Sequence, residues 1–190
     1  MLNKARAVPD QVELVDVSSA GSDICDQMLQ IRNLPEIRDF MISGKKISKS
    51  DHGAWLASLK GNRESRVFAA MVKNVLVGQA SFTRIDRKSR QAEWGFYIAP
   101  EHQGKGHARQ LLEKMLCLAF GEIGLHKLTA SVLDYNVASL NLHAVLGFVQ
   151  EGKTPNKRRC NGVWHELVVF GLERQNWLDK KLAGTGTGIA

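Results

Sequence analysis

Glu93-Trp94-Gly95-Phe96-Tyr97-Ile98-Ala99-Pro100-Glu101-His102-Gln103-Gly104-Lys105-Gly106-His107-Ala108 is the stretch on which the fold turns. Residues 91–98 (QAEWGFYI) read as a strand, and Pro100 closes it. Beyond it, Ala108, Leu111, Leu112, Met115, Leu116 and Ala119 hold the helix period as far as Gly121. A strand that turns through glycines into a long amphipathic helix gathers unpaired backbone N–H groups where the helix dipole is positive. Such a turn is suited to phosphate, and the small residues Gly104, Gly106 and Ala108 let an anion approach the main chain. A Rossmann reading would need its glycines directly after a first parallel strand. No GxxxxGK(S/T) run is present for a P-loop either.

Upstream of that stretch, RVFAAMVK (66–73) and VLVGQASFTRID (75–86) are two β-rich runs joined at Asn74, so 66–98 describes an antiparallel meander. VELVDV (12–17) alternates as a first strand. From Ser22 to about Phe40, Ile24, Met28, Ile31, Ile37 and Phe40 recur at helical spacing, and Pro35 divides two short helices. Ser48-Lys49-Ser50-Asp51 resembles a capping box for a helix that Gly61 stops. Downstream, HKLTASVL (126–133) is a strand and Val137–Leu146 a helix ended by Gly147. A strand opens at Phe148 and Val149, a basic loop holds Lys157, Arg158 and Arg159, and VWHELVVFGLE (163–173) closes the sheet. The expectation is a mixed α/β (α+β) sheet with helices packed on it, one domain over 1–182, and a mobile Gly/Thr-rich tail at 183–190.

With 190 residues, 44% of them apolar, the chain can bury a core without disulfide staples, which excludes collagen-like and disordered classes. It contains no apolar run of the roughly 18–20 residues a membrane helix needs, and its start lacks a secretory h-region, so a cytoplasmic location and no membrane partner are expected. Cys25, Cys117 and Cys160 are odd in number and lack a CxxC, which fits reduced thiols. His102, His126 and His165 have no metal-site spacing, so no metal is expected. The net charge of +7 suits a polyanionic small ligand as well as a nucleic acid. With 7% aromatic residues, mostly in strands, there is no basic-aromatic stacking platform, and no nucleic-acid partner is expected.

Gln103-Gly104-Lys105-Gly106-His107-Ala108 resembles the (Arg/Gln)-x-x-Gly-x-(Gly/Ala) pyrophosphate motif of the GNAT superfamily of acetyl-CoA-dependent N-acetyltransferases. About 30 residues on, Asn136, Ser139, Leu142, His143 and Gly147-Phe148 resemble a second motif of that superfamily. The resemblance implies a GNAT-type, mostly antiparallel seven-stranded sheet flanked by helices, with acetyl-CoA as cosubstrate. It also implies roles. Main-chain groups of Phe96, Tyr97 and Ile98, freed where a bulge splays their strand from the next, would meet the pantetheine and the thioester carbonyl. Gln103, Gly104, Lys105, Gly106, His107, Ala108 and Arg109 would hold the pyrophosphate, and Asn136 and Ser139 the cofactor arm.

Glu93 is either the base for the acceptor amine or a solvent-facing strand residue. His143, where many relatives carry Tyr, is either the proton donor to the departing thiolate or a packing residue, with Tyr135 as the fallback donor. Ser81 is either a hydroxyl near the acceptor amine or a plain strand residue, and His52 is either near substrate or on the surface. Ile31-Arg32-Asn33, Arg38, Met41, Ile47-Ser48, His52 and Trp55-Leu56 resemble the branch that acetylates the 4-amino group of UDP-linked amino sugars in the pseudaminic acid pathway. That likeness implies a nucleotide-sugar acceptor; its phosphates and those of coenzyme A give Lys105, Arg109, Lys45, Lys46, Lys157, Arg158 and Arg159 anions to meet, each otherwise a solvated surface charge, and a homodimer is a further expectation. The alternatives are a ribosomal-protein N-terminal or polyamine acetyltransferase and a non-catalytic basic binding domain on the same scaffold.

Overall fold

The computed structural model describes residues 10–160 and 162–185. Strand β1 (Glu13–Asp16) is followed by helices α1 (Ser22–Arg32), α2 (Pro35–Arg38) and α3 (Lys49–Leu59). The meander β2 (Arg66–Val72), β3 (Val75–Asp86) and β4 (Gln91–Ile98) leads into α4 (His107–Cys117). Then come β5 (Lys127–Leu133), α5 (Val137–Leu146), β6 (Val149–Cys160), β7 (Val163–Glu173) and α6 (Arg174–Thr185). The seven strands form one sheet in the order β1-β2-β3-β4-β5-β7-β6. Every neighbouring pair is antiparallel except β4 and β5, which run parallel. This is the mixed, mostly antiparallel sheet that the sequence led us to expect.

Helices cover both faces, and β2 shows why its sequence is nearly all apolar. Alternate side chains of a strand point to opposite faces. Phe68, Ala70 and Val72 join Leu111, Leu112 and Met115 of α4 in the larger core. Val67, Ala69 and Met71 face Cys25 and Met28 of α1 and Leu59 of α3 in the smaller one. A strand buried on both sides loses the polar alternation of a half-exposed strand.

The turn from β2 to β3 has two residues in the left-handed region, Lys73 at φ 49° and Asn74 at φ 64°, the signature of a type I′ hairpin. A β-branched residue is a steric outlier there. Asn74→Val is therefore expected to lower the unfolding free energy by about 1–2 kcal/mol, read from the denaturant midpoint. An unmoved midpoint would remove the turn assignment.

Three expectations change. Lys157, Arg158 and Arg159 lie within β6 rather than in a loop, and the β6–β7 ladder shifts register between Thr154 and Arg158. Pro155 has no N–H to give a ladder, and Asn156 sits at φ 52°, so the local loop character is a bulge inside a strand. The chain does not stop being helical at Gly121, because a π turn carries it from Leu118 to Glu122. Helix α6 was not anticipated: its run is largely polar, and Trp177 packs 5.4 Å from Phe120. It also takes in residues 183–185 of the expected tail, and residues 186–190 lie outside the described residues. Among the described residues no helix is long and apolar enough to cross a membrane.

Candidate functional site

Strands β4 and β5 pair only through Gln91–Lys127, Ala92–Leu128 and Glu93–Thr129. Beyond Glu93 they diverge, because β5 continues along β7 as far as Leu133 and Leu167 while β4 stays on β3. The edge of β4 from Trp94 to Ile98 that faces the gap has no strand partner. Backbone polar groups that lack a ladder must find another partner or water. The opening comes from divergence and not from the expected bulge in β4; the local register shift lies on the β3 side, between Thr83 and Asp86.

The chain leaves β4 through a short 3-10 turn and enters α4 with Gly104 at φ 72° and Gly106 at φ 81°. Gly106 is the N-cap and supplies no side-chain bond, so among the described residues no side chain claims the first-turn N–H groups of α4. A Cβ at either glycine would meet nothing within 4 Å, so the backbone angle and not packing calls for glycine. Gln103 donates from Nε2 to the Ile98 carbonyl at 3.0 Å and ties the turn to the end of β4. The His107 ring is buried and its Nδ1 has no partner. Ala108 packs on the core, Lys105 is exposed, and Arg109 is paired with Glu113 at 2.8 Å. Free main-chain donors, an orphaned ring nitrogen and an open strand edge at one end of the sheet fit a phosphorylated ligand with an extended arm.

On the sheet face covered by α1 and α3 lies a cavity of about 280 Å³. Arg32 of α1, His52 and Trp55 of α3, Ser81 of β3 and Gly95 to Tyr97 of β4 line it. The Tyr97 hydroxyl lies 3.2 Å from both the Met28 carbonyl and Gln79 Oε1, the two acceptors that share its one proton. Burial raises its pKa above the ordinary phenol range, partly opposed by Arg32, so the hydroxyl stays protonated. Arg32 Nη1 and Arg38 Nε are buried without a partner among the described residues. Burial lowers the pKa of Arg32, Tyr97 works against that, and repulsion from Arg38 and Arg158 adds to it.

Segment 39–47 borders this cavity through Met41 and Ile47. It is pinned at both ends. Asn33 exchanges hydrogen bonds of 2.9 and 2.8 Å with the Ile47 backbone. From β6, Arg158 donates through Nη1 to the Arg38 carbonyl at 2.8 Å and to the Met41 carbonyl. Tyr135 donates to the Asp39 carbonyl. Gly44 holds a left-handed φ of 58° that favours glycine, and an added Cβ would lie 2.8 Å from Arg158 Nη2, so the guanidinium would have to shift.

The residues singled out by sequence therefore divide. Ser81, Phe96 and Tyr97 line the cavity, and the Gln103–Arg109 run forms the turn into α4 and its first three residues. Glu93 does not line the cavity; Arg84 Nη1 holds its carboxylate at 2.7 Å. His143 is 2% exposed, and both ring nitrogens are used. Its Nδ1–H donates to the Ser139 carbonyl at 2.7 Å, and its Nε2 accepts from the Trp94 indole at 3.1 Å. The ring stacks on Phe170 at 5.3 Å, and burial lowers its pKa, partly opposed by the Ser139 bond. Asn136 caps α5 by accepting from the Ser139 N–H at 3.2 Å. Lys45, Lys46, Lys157 and Arg159 are exposed. The inward Gln79 was missed, although one amide inside the apolar run VLVGQASF was a visible signal. Arg158 as a strap could not be seen from sequence, since its partners lie about 120 residues away.

The family model described as "Acetyltransferase (GNAT) domain" matches residues 19–149. The putative ribosomal N-acetyltransferase YdaF of Bacillus subtilis is 32% identical over 106 residues, 56% of this chain and 58% of that protein. The spermidine N(1)-acetyltransferase of Vibrio cholerae is 31% identical over 119 residues, 63% of this chain and 69% of that protein. The L-amino acid N-acyltransferase MnaT of Escherichia coli is 34% identical over 110 residues, 56% of this chain and 63% of that protein. This chain thus spans less than two thirds of YdaF and of MnaT. A crystal structure of spermidine N-acetyltransferase from Vibrio cholerae in complex with CoA and spermine superposes with a TM-score of 0.79 at 25% identity, covering 88% of this chain and 98% of that one.

Proposed function

Because the chain belongs to the GNAT acetyltransferase family, we propose that it is an acetyl-CoA-dependent N-acetyltransferase whose acceptor is a small primary amine that also carries an anion. Acetyl-CoA supplies an activated acyl group. The residues of this chain hold and aim it. Unclaimed N–H groups at the start of α4 take the pyrophosphate, and the free edge of β4 orients the acyl arm toward the gap between β4 and β5. His143 acts here through packing: it fixes the Trp94 side chain behind that edge.

The observation that carries the acceptor class is charge. Arg32 lines the cavity with its charge, and among the described residues no carboxylate lines it to balance that charge. Two like charges about 4 Å apart repel by about 4 kcal/mol at an effective dielectric of 20. A polycation would meet that repulsion, whereas a carboxylate or phosphate on the acceptor would be paired. The cavity is at the small end for a ligand site, where pockets run about 300–1,000 Å³, so it suits the amine-bearing end of a larger molecule or a whole amino acid. A nucleotide-linked 4-amino sugar and an L-amino acid share this chemistry, and MnaT is named for the latter.

The second reading is a polyamine. It is favoured by the relatives, since both the sequence and the solved structure from Vibrio cholerae are named for spermidine, and the unbalanced charge of Arg32 is what ranks it second here. A thiol-release assay with spermidine, L-amino acids, a UDP-linked 4-amino sugar and an N-terminal peptide separates them. An anion-bearing amine is expected to show kcat/KM at least tenfold above spermidine, about 1.4 kcal/mol in transition-state binding. Arg32→Gln is expected to narrow the gap. Preferred turnover of spermidine would replace the first reading with the second.

A further inference from the structure

We propose that His52 is the base that takes the proton from the acceptor nitrogen. The inference rests on the acetyl-transfer reading and is independent of whether the acceptor carries an anion.

His52 lies on α3, is 7% exposed, and lines the cavity together with Ser81 and Gly95. Its Nε2 lies 2.9 Å from the Cys25 carbonyl oxygen, which can only accept, so Nε2 carries the proton. In the neutral ring Nδ1 then bears the lone pair. Among the described residues Nδ1 has no hydrogen-bond partner, and it is not among the fully enclosed unpartnered atoms, so it keeps some exposure. Trp55 packs against the ring at 5.2 Å and limits its rotation. The groups that titrate around it are Arg32 and the Cys25 thiol on α1 and Tyr97 on β4, and no carboxylate lines the cavity.

Glu93 is the competing base, and its carboxylate is held by Arg84 away from the cavity lining. His52 lines the cavity that Glu93 does not, and its lone pair is not engaged by any described residue. As the amine adds to the thioester carbonyl carbon, the C–N bond forms and the nitrogen becomes cationic. Nδ1 takes one proton from it. The oxyanion collapses to re-form the carbonyl, the C–S bond breaks with its electron pair on sulfur, and the thiolate takes up a proton, returning His52 to its neutral form. The products are the amide and coenzyme A thiol.

The test uses full-length protein. His52→Gln keeps an N–H to donate to Cys25 and removes the basic nitrogen, while His52→Ala opens space for added imidazole. Expected are a fall in kcat of about 100-fold in both, an acetyl-CoA Kd unchanged by calorimetry, loss of the acid limb of the pH–rate profile in His52→Gln, and partial rescue of His52→Ala by imidazole. Nitrogen-15 NMR of the wild type is expected to show an unprotonated Nδ1. A kcat within twofold of wild type overturns the proposal, as does a slow variant with no imidazole rescue and an unchanged pH profile. A protonated Nδ1 in the neutral ring overturns it without any assay. Failure of the wild type to turn over every amine while binding acetyl-CoA overturns the transfer reading itself, and is recognised by appearing without any substitution.

Discussion

Replacing Gly106 with valine is expected to raise the acetyl-CoA Kd about 100-fold, equivalent to about 2.7 kcal/mol, measured by calorimetric titration. Gly106 sits at φ 81° as the N-cap of α4, and a β-branched residue cannot hold that angle without strain. The strain is relieved by turning the peptide, which swings the first N–H groups of the helix away from a common focus. An added Cβ would meet no protein atom within 4 Å, so the fold should tolerate the substitution better than the ligand does. Gly106→Ala serves as the graded case, with a smaller loss in the same direction. A valine variant that binds acetyl-CoA as tightly as wild type would mean that the phosphates are held elsewhere.

His143→Phe is expected to act mainly on stability, lowering the unfolding free energy by about 2–5 kcal/mol. The Trp94 indole N–H would lose its partner inside the core, and an orphaned buried group costs about 1–3 kcal/mol, whereas the Ser139 carbonyl keeps its place in the α5 ladder. The larger ring must also fit between Phe148 and Phe170, and overpacking costs about 1–3 kcal/mol. For a chain of this size the melting temperature should fall by roughly 5–15 °C.

The acid side gives a second signature. Burial holds the folded-state pKa of His143 below its ordinary value of 6.5. The unfolded chain therefore binds a proton that the folded chain refuses as the pH drops below about 6.5. Stability is lost on that descent until the folded pKa is reached, and the phenylalanine variant should lose this part of the slope. Turnover per folded molecule should stay within a few-fold. A variant as stable as wild type with its turnover abolished would restore His143 to the proton-donor role that the resemblance implied.

Much of the architecture was legible because it is written in local periods. The helix that follows β4, the capping of α3 at Ser48 and the breaks at Gly61 and Gly147 depend on residues a few positions apart. The phosphate turn was legible for the same reason: Gly104 and Gly106 supply positive φ angles within one short segment. β6 was only half legible, since its bulge at 155–157 breaks the alternation that marks a strand. α6 was missed because little of it faces the core.

The acceptor side resisted reading. Its cavity draws on α1, α3, β3, β4 and the segment after α2, and no periodicity relates residues in different elements. Sequence alone put Glu93 and His143 forward as equals of Ser81. Packing separates them, giving Glu93 to Arg84, His143 to Trp94 and Ser139, and leaving His52 with a free nitrogen. The amino-acid sequence determined the strands, the helices and the anion-binding turn, because each follows from backbone preferences of neighbouring residues. Only the tertiary structure decided which side chains keep an unspent lone pair or charge, because that depends on partners brought together from distant parts of the chain.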